Sequence, residues 1–320
     1  MVSKLEAAKY ATERGIDMWI TLGTNPEGLY DIPAAPLTLT HDDDILLLGS
    51  CFTDHIGTHL TNAGFTTLVN PFGTLYNPHT IATNLNLANL NYCLQNSDLV
   101  FHDGMWHSWL HSGHFSSPEY QQCVALCNES YVNTHNFLQH CSTVVITLGT
   151  SFVYYLQGKE GNDSRIVANC HRVPDSQFSR KRLSVDECCK QLNIIAHTLE
   201  DKKIIFTVSP IRHMADTAHG NQLSKATLLL SIEQFLQNSA DKERFRYSPA
   251  YELLLDELRD YRFYDRDLCH PAPLAIDIIW QRFQQAYFSS QTQNHCREAE
   301  KHHRQQQHQP IAESKKLLEK

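Results

Sequence analysis

No stretch of the chain approaches the ~18 apolar residues of a membrane-spanning helix, so no such span is expected. The opening residues, MVSKLEAAKYATERGID, are polar and charged and lack the apolar core of a signal peptide. Clustered basic residues are missing too. The 27 Lys and Arg stand against 35 Asp and Glu, and the net charge of −8 is spread along the chain. A nucleic-acid or anionic-membrane partner, which needs concentrated Lys and Arg, is therefore not expected. The ten cysteines form no pair of CxxC knuckles, so a structural zinc site has no support. Without an export signal they read as reduced thiols, not as a disulfide framework. No internal repeat is visible. These absences describe a soluble, cytoplasmic chain for which no cofactor and no metal is expected. At 42% hydrophobic residues it can build a sizeable core, and its length allows one large domain or two. Nineteen histidines are left to explain.

Residues 1–36 differ in pattern from the rest of the chain. They read as a helix ended by Gly15, a short strand at Met18–Leu22, a turn, and a linker at Pro33–Pro36. This unit is too small to hold a core of its own. Residues 1–32 resemble a helix–strand–turn late in the kinase domain of glutamate 5-kinases, without that enzyme's nucleotide and substrate parts. They suggest a fusion relic, against the alternative of a native N-terminal unit.

From residue 37 the pattern is α/β. Short wholly apolar runs at Ile45–Leu48, Val144–Leu148 and Ile204–Val208 suit buried parallel strands. Helix-like segments lie at Thr53–Ala63, Ser184–Leu199, Ser224–Leu236 and Leu274–Tyr287. Alternating strands and helices predict a doubly wound parallel sheet, with ligands beyond the carboxyl ends of the strands. Residues 37–312 make the domain and 313–320 a polar tail.

Several motifs fall at such strand ends. Gly49-Ser50-Cys51-Phe52 precedes a helix, where a serine hydroxyl in a tight turn meets helix N-terminal N–H groups. On the tetrapeptide alone, Ser50 as a simple N-cap is the competing reading. In Asp267-Leu268-Cys269-His270-Pro271 the carboxylate can reach the imidazole Nδ1 and leave Nε2 as a base. Arg212 and His213 close the third apolar strand, where an Arg can bind a carboxylate, a phosphate or an acyl oxygen; a salt bridge closing the loop is the alternative. His219–Leu223 is expected to end that loop and cap the next helix. His102, Trp106, His107, Trp109, His111 and His114 form an aromatic, histidine-rich stretch. The His107-x3-His111-x2-His114 spacing invites a metal. However, Gly104, Ser108, Ser112 and Gly113 make a poor helix and no Cys joins, so the stretch reads as a substrate-lining loop, with ordinary packing the alternative.

GSCF, Asn70-Pro71-Phe72-Gly73-Thr74, Tyr76-Asn77-Pro78, Leu148-Gly149-Thr150, Val167–His171, Thr207–His213 and DLCHPAPLAIDIIWQRF together resemble the GSCFA family over residues 37–312. The resemblance implies a flavodoxin-like three-layer α/β/α fold with a parallel sheet, of the SGNH/GDSL esterase type. It also implies Ser50 as nucleophile, His270 as base and Asp267 as its orienting acid. The Ser50 and Gly73 N–H groups are then the first oxyanion donors. The third, an Asn in the wider superfamily, is replaced here by Gly149-Thr150-Ser151, so Thr150, Asn169 or Asn77 must substitute. The resemblance likewise favours the Trp/His stretch, with Trp106, His111 and His114, as substrate contacts, while Arg212 and His213 are expected there from their strand-end position. Cys51, beside Ser50 at a helix N-terminus, is a conceivable nucleophile, but the resemblance places that role on Ser50. The expectation is a serine esterase acting on a small-molecule or carbohydrate ester. An acyltransferase using the same acyl-enzyme, or a ligand-binding module on the same scaffold, are the alternatives.

Overall fold

Three runs of the chain are apolar at nearly every position, and each forms a strand covered on both faces. The computed structural model describes residues 37–157 and 165–307. Strand β1 (Ile45–Gly49) leads into helix α1 (Cys51–Asn62), and the chain returns as β2 (Thr67–Val69). Helix α2 (Pro78–Asn89), the hairpin β3 (Leu99–His102) and β4 (Met105–Ser108), and α3 (Tyr120–Leu138) precede β5 (Thr143–Leu148). Three short strands come next, β6 (Phe152–Leu156), β7 (Arg165–Val167) and β8 (Phe178–Arg182). Then come α4 (Val185–Thr198), β9 (Lys203–Val208), α5 (Thr217–Asn238) and β10 (Phe245–Ser248). Helices α6 (Pro273–Tyr287) and α7 (Ser290–Gln307) close the described chain.

The central sheet has the order β2-β1-β5-β9-β10, and every pairing in it is parallel. Numbering only these five strands gives 2-1-3-4-5, the flavodoxin-like order. Alternate strand residues face opposite layers. Leu46, Leu48, Val144, Ile146, Ile204 and Phe206 pack with Leu85, Tyr131, Leu192 and Leu228 from α2 to α5. Ile45, Leu47, Val145 and Ile205 are equally buried and point to the other face, while α1 contacts α6 and α7. The result is a three-layer α/β/α protein. Sheet order reverses direction between β1 and β5, so the cleft beyond these two strands is the expected ligand position.

The strands and helices predicted from residue 37 onward are present, most with ends shifted by one or two residues, and the helix expected at Ser224–Leu236 starts earlier, at Thr217. One expectation is corrected: His219–Leu223 lies inside α5 and does not cap it, because the helix begins at Thr217. Between β5 and α4 the chain forms a small antiparallel insert, β6 pairing with both β7 and β8. Residues 1–36, with the helix, strand and fusion relic expected there, and the tail from 308 to 320 lie outside the described residues.

One glycine sets the geometry of the site. Gly49 has φ +145°, and a Cβ there would stand 2.1 Å from the carbonyl oxygen of Thr147 on the neighbouring strand. That close approach lets β1 turn into α1 directly beside the end of β5.

Candidate active site

Ser50 is the N-cap of α1, in extended conformation, and Cys51 is the first helical residue. The change from strand to helix between them turns their side chains in different directions. Ser50 is 1% exposed, and its hydroxyl donates to Ser209 Oγ at 2.9 Å. Its N–H donates to Thr147 O at 3.3 Å. Cys51 is half-buried, and its Sγ lies 3.7 Å from His270 Nε2. The expected contact between Ser50 and His270 is thus corrected: the side chain against the imidazole is that of Cys51.

The DxxH pair folds as its spacing suggested. Asp267 Oδ2 lies 2.5 Å from His270 Nδ1. Asp267 Oδ1 accepts the N–H groups of Cys269 at 2.9 Å and His270 at 3.0 Å. These bonds to His270 and Cys269 hold the Asp267 carboxyl well below the usual carboxylate range. A charged carboxylate on Nδ1 keeps the proton there and leaves Nε2 as the basic nitrogen. The side chains are 45% and 49% exposed for His270 and Asp267, so water reaches the base.

Arg212 fastens this loop. Its N–H donates to Cys269 O and its guanidinium to Leu268 O, both at 3.1 Å, and the guanidinium stacks 3.9 Å from the Tyr264 ring centroid. Leu268 itself sits at φ +57°, a conformation a non-glycine residue holds only when its surroundings fix it. Arg212→Ala is expected to lower kcat for the reaction carried at this pocket roughly tenfold to a hundredfold while changing KM little, because displacing the imidazole costs rate more than binding. Steady-state kinetics on the purified variant checks this.

A pocket of about 340 Å³ opens beside Cys51 and His270. One wall is the β6-β7-β8 insert, through Phe152, Tyr154 and Ala168, with Arg180. Arg180 stacks 3.9 Å from the Phe152 centroid and 5.3 Å from that of Tyr154, and pairs with the buried Asp216. The lining also includes Tyr76, Asn77, Arg212 and His213. Burial pushes His213 down to about 4, with the Lys225 charge adding to the effect. Its Nε2 is buried and has no hydrogen-bond partner among the described residues. A neutral ring with a spare polar nitrogen suits a hydrogen bond to a ligand.

The expected oxyanion donors separate. Gly73 N–H is spent on Asn70 O at 2.7 Å. Its Cα backs onto Ser112, which a Cβ would overlap at 1.9 Å, so this glycine serves a turn. Asn169 Oδ1 accepts the His171 N–H within its own loop, and Asn169 is not among the pocket's lining residues. Thr150 does line the pocket. Ser224 Oγ accepts from Ser151 N–H at 2.8 Å and Ser151 Oγ at 3.1 Å. With both lone pairs filled, Ser224 donates to Thr150 Oγ1 at 2.9 Å. The Thr150 hydroxyl proton is then available. Asn77 was the better asparagine. As N-cap of α2, its Oδ1 accepts the Thr80 N–H at 2.9 Å, which leaves Nδ2 as the donor at the pocket wall.

The aromatic and histidine stretch packs instead of lining the site. His111 is 0% exposed, held by Ser108 at 2.9 Å and Ser130 at 3.0 Å. Burial pushes it down to about 3. Trp106 packs edge-on against Tyr120 across the base of the hairpin, and His114 is exposed on a short turn. None of the three lines the pocket. Among the described residues, no group of three or more His, Cys, Asp or Glu is placed to hold a metal ion.

A flavodoxin-like parallel sheet, with a Ser-Cys turn and a His-Asp loop meeting at its switch point, defines the class as three-layer α/β. The chain belongs to the GSCFA family, whose model matches residues 44–283. No curated protein matches it. Among solved structures it is similar to the Clostridium thermocellum family 3 carbohydrate esterase, with 11% identity and a TM-score of 0.37 over 76% of this chain and 94% of that one. A carbohydrate esterase family 3 protein from Talaromyces cellulolyticus gives 10% identity and a TM-score of 0.35, over 76% and 95%. A GDSL-like lipase from Bacteroides thetaiotaomicron gives 10% and 0.38, over 81% and 95%. No helix among the described residues is long and apolar enough to cross a membrane.

Proposed function

We propose that this protein is an SGNH-type acyl-ester hydrolase acting on a small acyl group carried by a polar compound such as a carbohydrate. The observation that carries the reading is the oriented His270-Asp267 pair facing the β1–α1 turn at the mouth of the pocket. The turn supplies the nucleophile, His270 removes its proton, and Asp267 stabilises the imidazolium that forms. The Thr150 hydroxyl and Asn77 Nδ2, with a helix N-terminal N–H, face the developing oxyanion. Aromatic faces at Tyr76, Phe152 and Tyr154, beside Arg180 and His213, suit a sugar ring better than a long acyl chain. The pocket volume fits a short acyl group with one ring. Exposure of His270 favours water over a second alcohol as acceptor, and so hydrolysis over transfer.

The test is release of acetate from 4-nitrophenyl acetate and from acetylated mono- and oligosaccharides by the purified protein. Turnover at least a hundredfold above the uncatalysed rate is expected on one of these. A background rate across the whole panel would remove the proposal.

A further inference from the structure

We propose that Cys51, not Ser50, is the nucleophile, and that the acyl group passes through a thioester on its sulfur. This rests on the reading of the site as an acyl-ester hydrolase and names the atom that performs the transfer. The two candidates are adjacent in sequence, yet the fold treats them differently in three independent ways.

The first is reach. Cys51 Sγ stands 3.7 Å from His270 Nε2, a normal sulfur–nitrogen contact, while the Ser50 hydroxyl proton is committed to Ser209 Oγ at 2.9 Å. Ser209 is 0% exposed, and its Oγ also accepts the Ile211 N–H at 3.3 Å. Moving Ser50 toward the imidazole would break this bond between two buried hydroxyls and leave Ser209 Oγ with the Ile211 N–H alone. The second is access: both residues line the pocket, but Ser50 is 1% exposed while Cys51 is half-buried. The third concerns the backbone. The nucleophile's own N–H commonly binds the oxyanion, and here the Ser50 N–H is already given to Thr147 O. The Cys51 N–H, at the first position of α1, has no backbone acceptor among the described residues. An acyl group on Sγ would therefore bring its carbonyl oxygen beside a helix N-terminal donor that is given to no backbone acceptor.

The sulfur does not act as a preformed thiolate. Burial pushes the Cys51 thiol up, while the N–H groups of Cys51 and Phe52 and the Lys225 charge only partly oppose it. The resting thiol keeps its proton, so His270 is needed as base. As Sγ attacks the ester carbonyl, His270 Nε2 takes the thiol proton and the C–S bond forms. The tetrahedral centre collapses, the ester C–O bond breaks, and the leaving alkoxide takes the proton from His270. Water then gives a proton to His270 and attacks the thioester. The C–S bond breaks, sulfur recovers that proton, and the acid is released with one water consumed. Ser50, bonded to Ser209, is a positioning residue that holds the turn.

Cys51→Ala, Ser50→Ala and the wild type are compared on the best ester from the panel, and the acyl-enzyme is trapped by acid quench. Cys51→Ala is expected to lose at least 10³-fold in kcat/KM, and Ser50→Ala no more than about tenfold, through kcat. The trapped acyl group is expected on the peptide carrying both residues and to be released by neutral hydroxylamine, which cleaves thioesters but leaves oxygen esters. A 10³-fold loss confined to Ser50→Ala, or a hydroxylamine-resistant adduct, overturns the assignment while leaving the hydrolase reading intact. If the wild type turns over no ester, that reading fails, and alkylation decides the assignment. Iodoacetamide is expected to modify Cys51 at least tenfold more slowly in His270→Ala, with exposed Cys93 unchanged as internal reference. Equal Cys51 rates in both proteins would overturn it.

Discussion

His270→Ala is expected to lower kcat/KM for ester hydrolysis by about 10³- to 10⁴-fold, the full contribution of a general base that also returns the proton to the leaving group. That loss corresponds to about 4 to 5.5 kcal/mol of transition-state stabilisation. The fold should not register it. The ring is 45% exposed and packs in no core cluster, so the thermal midpoint is expected to move by no more than about 3 °C. The separation of the two effects is what identifies a chemical role. Asp267→Asn should show a comparable loss. Its amide oxygen is held by the Cys269 and His270 N–H groups, so Nδ2 turns a donor toward His270 Nδ1 and the ring takes the tautomer whose Nε2 carries the proton and is no longer basic. Because Asp267 sits well below the usual carboxylate range, it is ionised at every pH where the enzyme is assayed. Stopped-flow or steady-state assays of the two variants, with differential scanning calorimetry alongside, check all of these. A large drop in thermal midpoint accompanying the loss of activity would mean the loop is structural.

The parts of this fold that were legible in the sequence are those whose burial is simple. ILLL, VVITL and IIFTV are covered on both faces, and a continuous apolar run of that length is best placed at the centre of an α/β sheet. The His-Asp pair was legible because three residues of loop decide its geometry. What failed depended on direction. Whether Ser50 or Cys51 faces the imidazole is set by one backbone turn between an extended and a helical residue. Composition does not record that turn. His111 looked available because histidine and tryptophan are common in binding sites, but two serines satisfy both ring nitrogens and make it a core side chain. The wall formed by Phe152, Tyr154 and Arg180 was missed because strands of three to five residues in an antiparallel insert carry little periodic signal. Two signals were present and unread. Asn77-Pro78 is an N-cap followed by proline at the first helical position, which places Asn77 at a helix mouth. Asn221, Lys225, Leu228, Ile232 and Phe235 mark one buried stripe of α5, with a lysine in its middle.

That lysine is the basis of the second large effect. Lys225 is 1% exposed, and its Nζ donates to Gly149 O and Ser209 O, each at 2.7 Å. It joins the ends of β5 and β9, and through the Ser50–Ser209 bond it also supports the turn after β1. Lys225→Met keeps the stem and leaves both carbonyls unpaired at roughly 1–3 kcal/mol each. Relief of the buried amine returns part of this, so a net loss of about 3 kcal/mol is expected. The difference should depend on pH with a definite sign. Burial pushes the amine from an ordinary value near 10.5 down to about 7. Between these values the unfolded chain binds a proton that the folded chain does not, so unfolding takes one up and the native state gains stability as pH rises. A neutral amine still offers two N–H groups, one for each carbonyl, and the tie survives deprotonation. The stability of wild type minus that of Lys225→Met should therefore grow from pH 7 toward pH 9, by up to about 1.4 kcal/mol per pH unit. Urea unfolding of both proteins at pH 6, 7, 8 and 9 measures it. Other thiols and phenols titrating in the same range cancel in the difference. A gap that shrinks with rising pH would mean that the native state holds the lysine as a cation, and that the strand-end carbonyls bind charge rather than an amine.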